Sequence, residues 1–163
     1  MLGPMQSFDH DYVEKLIGRL SALGGVPRRK LLPLSVDALA EHLSETLRYS
    51  MGRGPSLCDR STWFSRTVRK PLVLSGILPV AEVMDHRVAT LSARSRWDGT
   101  AIETLHAQLE EYLGLVQADE LEPAPHPELG PFDIDDWARW HVVHFEHHLR
   151  RCASQLGQVG LSK

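Results

Sequence analysis

Four of the nine histidines in this 163-residue chain fall within eight positions near the C-terminus, in Trp137-Ala-Arg-Trp140-His141-Val-Val-His144-Phe-Glu-His147-His148. Drawn as an α-helix, the stretch places His141, His144 and His148 within roughly 60° of one another, and turns His147 well away from them. The i, i+4 pair His144 and His148 sets one imidazole above the other, close enough to hold a single divalent ion at about 2.0–2.1 Å from each nitrogen. A catalytic metal site usually takes three ligands from the protein and leaves a position open. A third ligand is therefore needed from elsewhere in the chain.

The elements that would supply it read as long amphipathic helices. Phe8, Tyr12, Leu16, Ile17 and Leu20 recur at helical spacing, with Asp9 or Ser7 as cap and Gly24-Gly25 and Pro27 as the stop. A second helix starts after Pro33 with Ser35 as cap. It carries Leu39, Leu43, Thr46, Leu47 and Ser50 along one side as far as Met51, and ends in Gly52-Arg-Gly54-Pro55. His42 sits on the same side as Leu39 and Thr46, facing the interior, and is the natural third ligand. Between Ser56 and Pro79 the apolar residues fit one broken helix or two short ones around Pro71. Val80 to Ser95 carries another helical turn or two, with His86, before Gly99, and Arg94, Arg96 and Trp97 read as a connection. From Thr100, the spacing of Ile102, Leu105, Leu109, Tyr112, Leu113 and Val116 predicts a third long helix with Glu103, Glu110 and Glu111 outside. An acidic, proline-rich connection over 119–131 precedes Asp133-Ile-Asp-Asp136, which caps a last helix running to about Leu156.

This pattern predicts one all-α domain over residues 1–163, a four-helix bundle with extra short helices in the connection between the second and third long helices. Bundles of this kind build metal sites from inward side chains on facing helices. A formal net charge of −3 argues against a nucleic-acid-binding surface, although Arg28, Arg29 and Lys30 form a small basic cluster. No apolar run reaches the length of a membrane span, and Met1 to Met5 lack the features of a signal peptide, so a cytoplasmic protein is expected. Cys58 and Cys152 form no CxxC and read as free thiols.

Around the expected ligands, His141 reads as a donor behind the metal or a pocket-lining group. Glu45, Thr46 and Tyr49, one or two turns past His42, are placed to orient an imidazole or hold a bound water. His126 lies between proline-set backbone and the turn that Gly130 permits, within reach of the bundle mouth, where it shapes the loop. His10, His86, His106 and His147 read as solvated or core-satisfied histidines. Trp137 and Trp140 read as core, and Cys152 as buried packing. Glu146 points off the ligand face, so His144-Phe-Glu-His147-His148 is not the HExxH signature of a metalloprotease.

Two motifs together carry a family resemblance: His42-Leu-Ser-Glu-Thr-Leu-Arg-Tyr49-Ser50, and His126-Pro127 with Gly130, Trp137, His141, His144 and His147-His148-Leu149-Arg150. With them the chain resembles the DinB/YfiT-like superfamily of metalloenzymes, in a branch of small bacterial proteins. The resemblance implies a four-helix bundle and a divalent ion (zinc, nickel or iron) held by His42, His144 and His148. Many members follow the second ligand of the pair with Arg-Gly-Gln, where this chain has Leu149-Arg150-Arg151-Cys152.

Known activities in the superfamily include transfer or isomerisation with low-molecular-weight thiols, and the resemblance thus implies a small-molecule substrate, with a thiol favoured over hydrolysis. A homodimer through exposed helix faces is the expected assembly. Two non-enzymatic readings fit the same residues. One is a bundle in which metal serves stability, sensing or dimerisation; the other is a metal-free interaction protein whose histidines titrate near neutral pH.

Overall fold

The computed structural model describes residues 7–24, 36–53, 57–80 and 100–160, with only the backbone described over 155–160. Its elements are α1 (His10–Gly24), α2 (Val36–Ser50), a π-helical turn (Ser65–Arg69) leading into α3 (Lys70–Leu74), α4 (Thr100–Gln117) and α5 (Ile134–Gly160). The all-α expectation holds. Among the described residues there is no strand, only an isolated bridge between His126 and Gly130. The expected Ser35 cap, the stops at Gly25-Pro27 and Gly54-Pro55, and the segment of His86, Arg94, Arg96 and Trp97 lie outside the described residues.

Three of the long helices begin or end where local chemistry says they should. Asp9 caps α1 by accepting the Tyr12 N–H at 2.9 Å. Gly52, at φ 70°, closes α2: its N–H reaches the Tyr49 carbonyl and that of Arg53 reaches Arg48, a pairing that needs a left-handed residue at Gly52. At the start of α5 the Asp136 N–H donates to Asp133 Oδ1 at 2.7 Å, and the Asp133 N–H donates back to Asp136 Oδ2 at 3.3 Å. Asp133→Ala is expected to lower stability by about 1 kcal/mol in urea unfolding. Asp133→Ser should recover most of that loss.

The segment with Pro71 resolves into a single helical stretch with a widened turn. The Lys70 N–H bonds the Ser65 carbonyl, five residues back. Proline has no N–H to continue a regular ladder, so the irregular turn falls directly before it. Trp63 and Phe64 at its start are exposed, whereas Val73 and Leu74 at its end are buried.

Packing joins the helices in two apolar groups. Tyr12, Val13, Leu16 and Leu20 of α1 meet Leu39, Leu43 and Leu47 of α2, Leu105, Leu109 and Tyr112 of α4, and Phe145 and Leu149 of α5. The second group gathers Tyr49, Val73, Leu74, Leu129, Phe132, Trp137 and Trp140, and fastens the 118–133 connection and α3 onto the first half of α5. His42 and, on α5, His141, His144 and His148 are buried among these residues, a position that costs free energy unless their ring nitrogens find partners.

Candidate metal centre

α2 and α5 bring His42, His144 and His148 together. Their Nε2 atoms form a nearly equilateral triangle: 3.1 Å from His42 to His144, 3.1 Å from His42 to His148 and 3.0 Å from His144 to His148. All three rings are buried, at 1%, 2% and 4% exposure. Hydrogen bonding does not satisfy such a triangle. Nε2 of a neutral imidazole is either a donor or an acceptor, so among three in mutual contact at least one pair must face with matching lone pairs or matching protons. A cation removes the conflict, because all three lone pairs then point at it. Ligand nitrogens about 2.0–2.1 Å from one ion stand about 2.9 Å apart at right angles and about 3.4 Å apart in a tetrahedron. The observed edges fall between these limits, and the donor set fits a divalent transition ion.

The electrostatics agree with that fit. Burial, and then the neighbouring His148 and His42, hold the His144 pKa well below its ordinary value, so the ring stays in the neutral form that ligates. Its Nδ1 has no hydrogen-bond partner among the described residues. The ring is held instead by Trp140, stacked on it at 4.3 Å between centroids and 24° between planes.

The other expected site residues have different partners. His141, one turn before His144, is fully buried; its Nε2–H donates to Ser50 Oγ at 2.9 Å, since the Ser50 hydroxyl is itself donating to the Leu47 carbonyl at 2.7 Å. Trp137 stacks on the His141 ring, and Tyr112 meets it edge-on. Burial pushes its pKa down to about 3. The Tyr49 hydroxyl donates to the Pro125 carbonyl at 2.9 Å and so ties α2 to the connection. Thr46 Oγ1 donates to the His42 carbonyl one turn back, and Glu45 is exposed. His126 shapes its own loop: Nδ1 accepts the N–H groups of Glu128 at 3.1 Å and Leu129 at 3.2 Å, and the ring packs on Phe132, Trp137 and Trp140. Gly130, at φ 83°, closes this loop where a Cβ would stand 2.8 Å from Arg66 Cγ. Glu146 is engaged by Arg19 of α1.

Sequence reasoning passed over Ser50 as the partner of His141 and Trp140 as the platform under His144. Trp140 and His144 are an i, i+4 pair, so the second of these was visible as a spacing.

A family model described as a protein of unknown function, DUF1569, matches residues 34–155. No curated protein and no solved structure matches the chain at a significant level. Among the described residues no helix is long and apolar enough to cross a membrane.

Proposed function

We propose that this chain, which belongs to the DUF1569 family, is a metal-dependent enzyme built as a DinB/YfiT-like four-helix bundle, with His42, His144 and His148 as ligands of one zinc, nickel or iron ion. The observation that carries the reading is the convergence of three buried Nε2 atoms, contributed by the second long helix and by an HxxxH pair on the last. When bound, such an ion supplies Lewis acidity and stabilises a hydroxide or thiolate at a position the protein leaves open.

The chain's own residues set the terms of that chemistry. Trp140 and the burial of all three imidazoles keep water from the ligand side of the site and hold His144 in one orientation. Two of the glutamates near the ligands in sequence are placed elsewhere, Glu45 at the surface and Glu146 against Arg19, while Glu41 beside His42 is half-buried. A nucleophile that ionises readily without a carboxylate base suits such a site. A thiol, with an ordinary pKa about one and a half units above neutrality, meets that requirement far better than water. The favoured reaction is accordingly transfer of a low-molecular-weight thiol: the thiol gives up its proton, its sulfur bonds an electrophilic carbon, and the leaving group departs with the electron pair of the broken bond, the proton going to it or to solvent. Hydrolysis is the second choice.

Elemental analysis of protein purified without a nickel column and dialysed against a weak chelator tests the metal reading. About one tightly held equivalent is expected in the natural chain, lost in both His42→Ala and His144→Ala. An absence of metal even after reconstitution would overturn the proposal. Metal bound with no turnover of thiols and electrophiles would retain the site and favour the non-enzymatic alternative.

A further inference from the structure

We propose that Glu14, His106 and Glu110 form a second metal site, suited to zinc, on the outer seam between α1 and α4, with His10 set against Glu110. Each helix contributes one histidine and one glutamate four residues apart, the spacing that sets two side chains on one helical face. The pairing is antiparallel: the first residue of the α1 pair meets the last of the α4 pair. His10 Nδ1 lies 3.2 Å from Glu110 Oε2 and 3.3 Å from Oε1, and His106 Nε2 lies 3.2 Å from Glu14 Oε1. Across these pairs, Glu14, His106 and Glu110 each present a ligand atom within 4.8 Å of the other two.

The His106–Glu14 distance suits shared coordination as well as an ion pair. A charge-assisted N–H···O⁻ contact settles at about 2.7–2.9 Å, whereas nitrogen and oxygen donors about 2.0–2.1 Å from one tetrahedral zinc stand about 3.3 Å apart. One neutral imidazole and two carboxylates offer a formal charge of −2, matching a divalent ion. Imidazole donors favour zinc over magnesium or calcium. With side chains 37% to 68% exposed, all three residues are open to a hydrated ion from solvent. The site is independent of the buried triad, and an ion there would link α1 to α4 across about ninety residues of sequence, stabilising the folded chain in proportion to its occupancy.

Zinc alone, titrated in competition with a chromophoric chelator into chain already saturated at its tight site, reads this proposal. The natural chain is expected to take up one further equivalent and to melt at higher temperature as zinc rises. In His106→Ala that equivalent should be lost or bound at least about tenfold more weakly, with the tight equivalent kept. Glu14→Gln/Glu110→Gln should behave alike. Helical circular dichroism checks that each variant folds. No further equivalent in the natural chain, or one that survives unchanged in both variants, would overturn the proposal. Should the buried triad take no metal, the comparison still reads the seam, as the single equivalent that these variants lose.

Discussion

Trp137→Ala is expected to lower the unfolding free energy by about 3–5 kcal/mol, the largest single-residue effect on stability foreseen in this chain. Trp137 is 1% exposed and lies at the centre of an aromatic group. Its ring centroid is 5.0 Å from Phe132, 5.3 Å from Trp140, 5.4 Å from His141 and 5.7 Å from His126. Truncation removes apolar burial and leaves a cavity that neighbours fixed on different elements cannot collapse to fill. It also removes the Nε1–H donated to the Ala124 carbonyl at 2.7 Å, leaving that acceptor without this partner. A domain of this size has about 5–15 kcal/mol in all, so the variant should stand near half unfolding at modest urea. Trp137→Phe separates the two terms, since it keeps most of the packing and loses the hydrogen bond, and should cost about 1–3 kcal/mol. Because Trp137 stacks on His141 and meets Trp140, which in turn supports His144, metal affinity should fall along with stability. A loss below about 1 kcal/mol for Trp137→Ala would contradict this account of the core.

What could be read from the sequence follows the physics of periodicity. The convergence of His42, His144 and His148 was legible because side chains on helices inherit a fixed angular spacing, and one inward face on each of two helices is enough to nominate them as candidate ligands. The same logic located α1, α2, α4 and α5 to within a few residues, with Asp9 and Asp133 as caps. Where the outcome rests on tertiary partners, the pattern is silent. Glu45 and Tyr49 sit one turn or two past His42, yet Glu45 faces solvent and Tyr49 bonds the Pro125 carbonyl, an arrangement fixed by how the 118–133 connection folds back. The π-helical turn at Ser65–Arg69 has the composition of an ordinary helix and is set by Pro71 immediately beyond it. His10 and His106 look unremarkable singly. Their pairing with Glu110 and Glu14 arises only from the antiparallel register of α1 on α4.

Acidifying the metal-free chain from pH 7.5 to 5.0 is expected to remove roughly 4 kcal/mol of stability, about 2 kcal/mol from each of His126 and His141. In the folded chain both pKa values are pushed down to about 3. Burial is the main cause for each, with Arg69 and Lys70 adding to it at His126 and His126 adding to it at His141. In the unfolded chain both return to about 6.5. Between those limits the unfolded chain binds a proton at each ring and the folded chain does not. Stability is therefore present in full above pH 6.5, and falls by about 1.4 kcal/mol per unit per ring as the pH drops toward 3. The hydrogen bonds explain why neither ring accepts the proton in place. Protonating His126 Nδ1 would break the bonds from the Glu128 and Leu129 N–H groups. A proton on His141 Nδ1 would be buried with no acceptor beside it, since Nε2 already donates to Ser50. His144, whose pKa is also lowered by burial and by its histidine neighbours, adds to the loss in the same direction. Asp59 is also held below its ordinary value, by hydrogen bonds from Ser61 and then by Arg66, and its contribution is lost only in more acidic solution, below this window. Urea unfolding in the presence of chelator at pH 7.5, 6.5 and 5.0 should show the slope. His126→Asn and His141→Gln should each flatten it by about the share of one ring, whatever they cost at neutral pH. A profile flat from 7.5 to 5.0 in the natural chain would mean that both rings ionise freely in the folded state, and that the packing around Trp137 is looser than its contacts require.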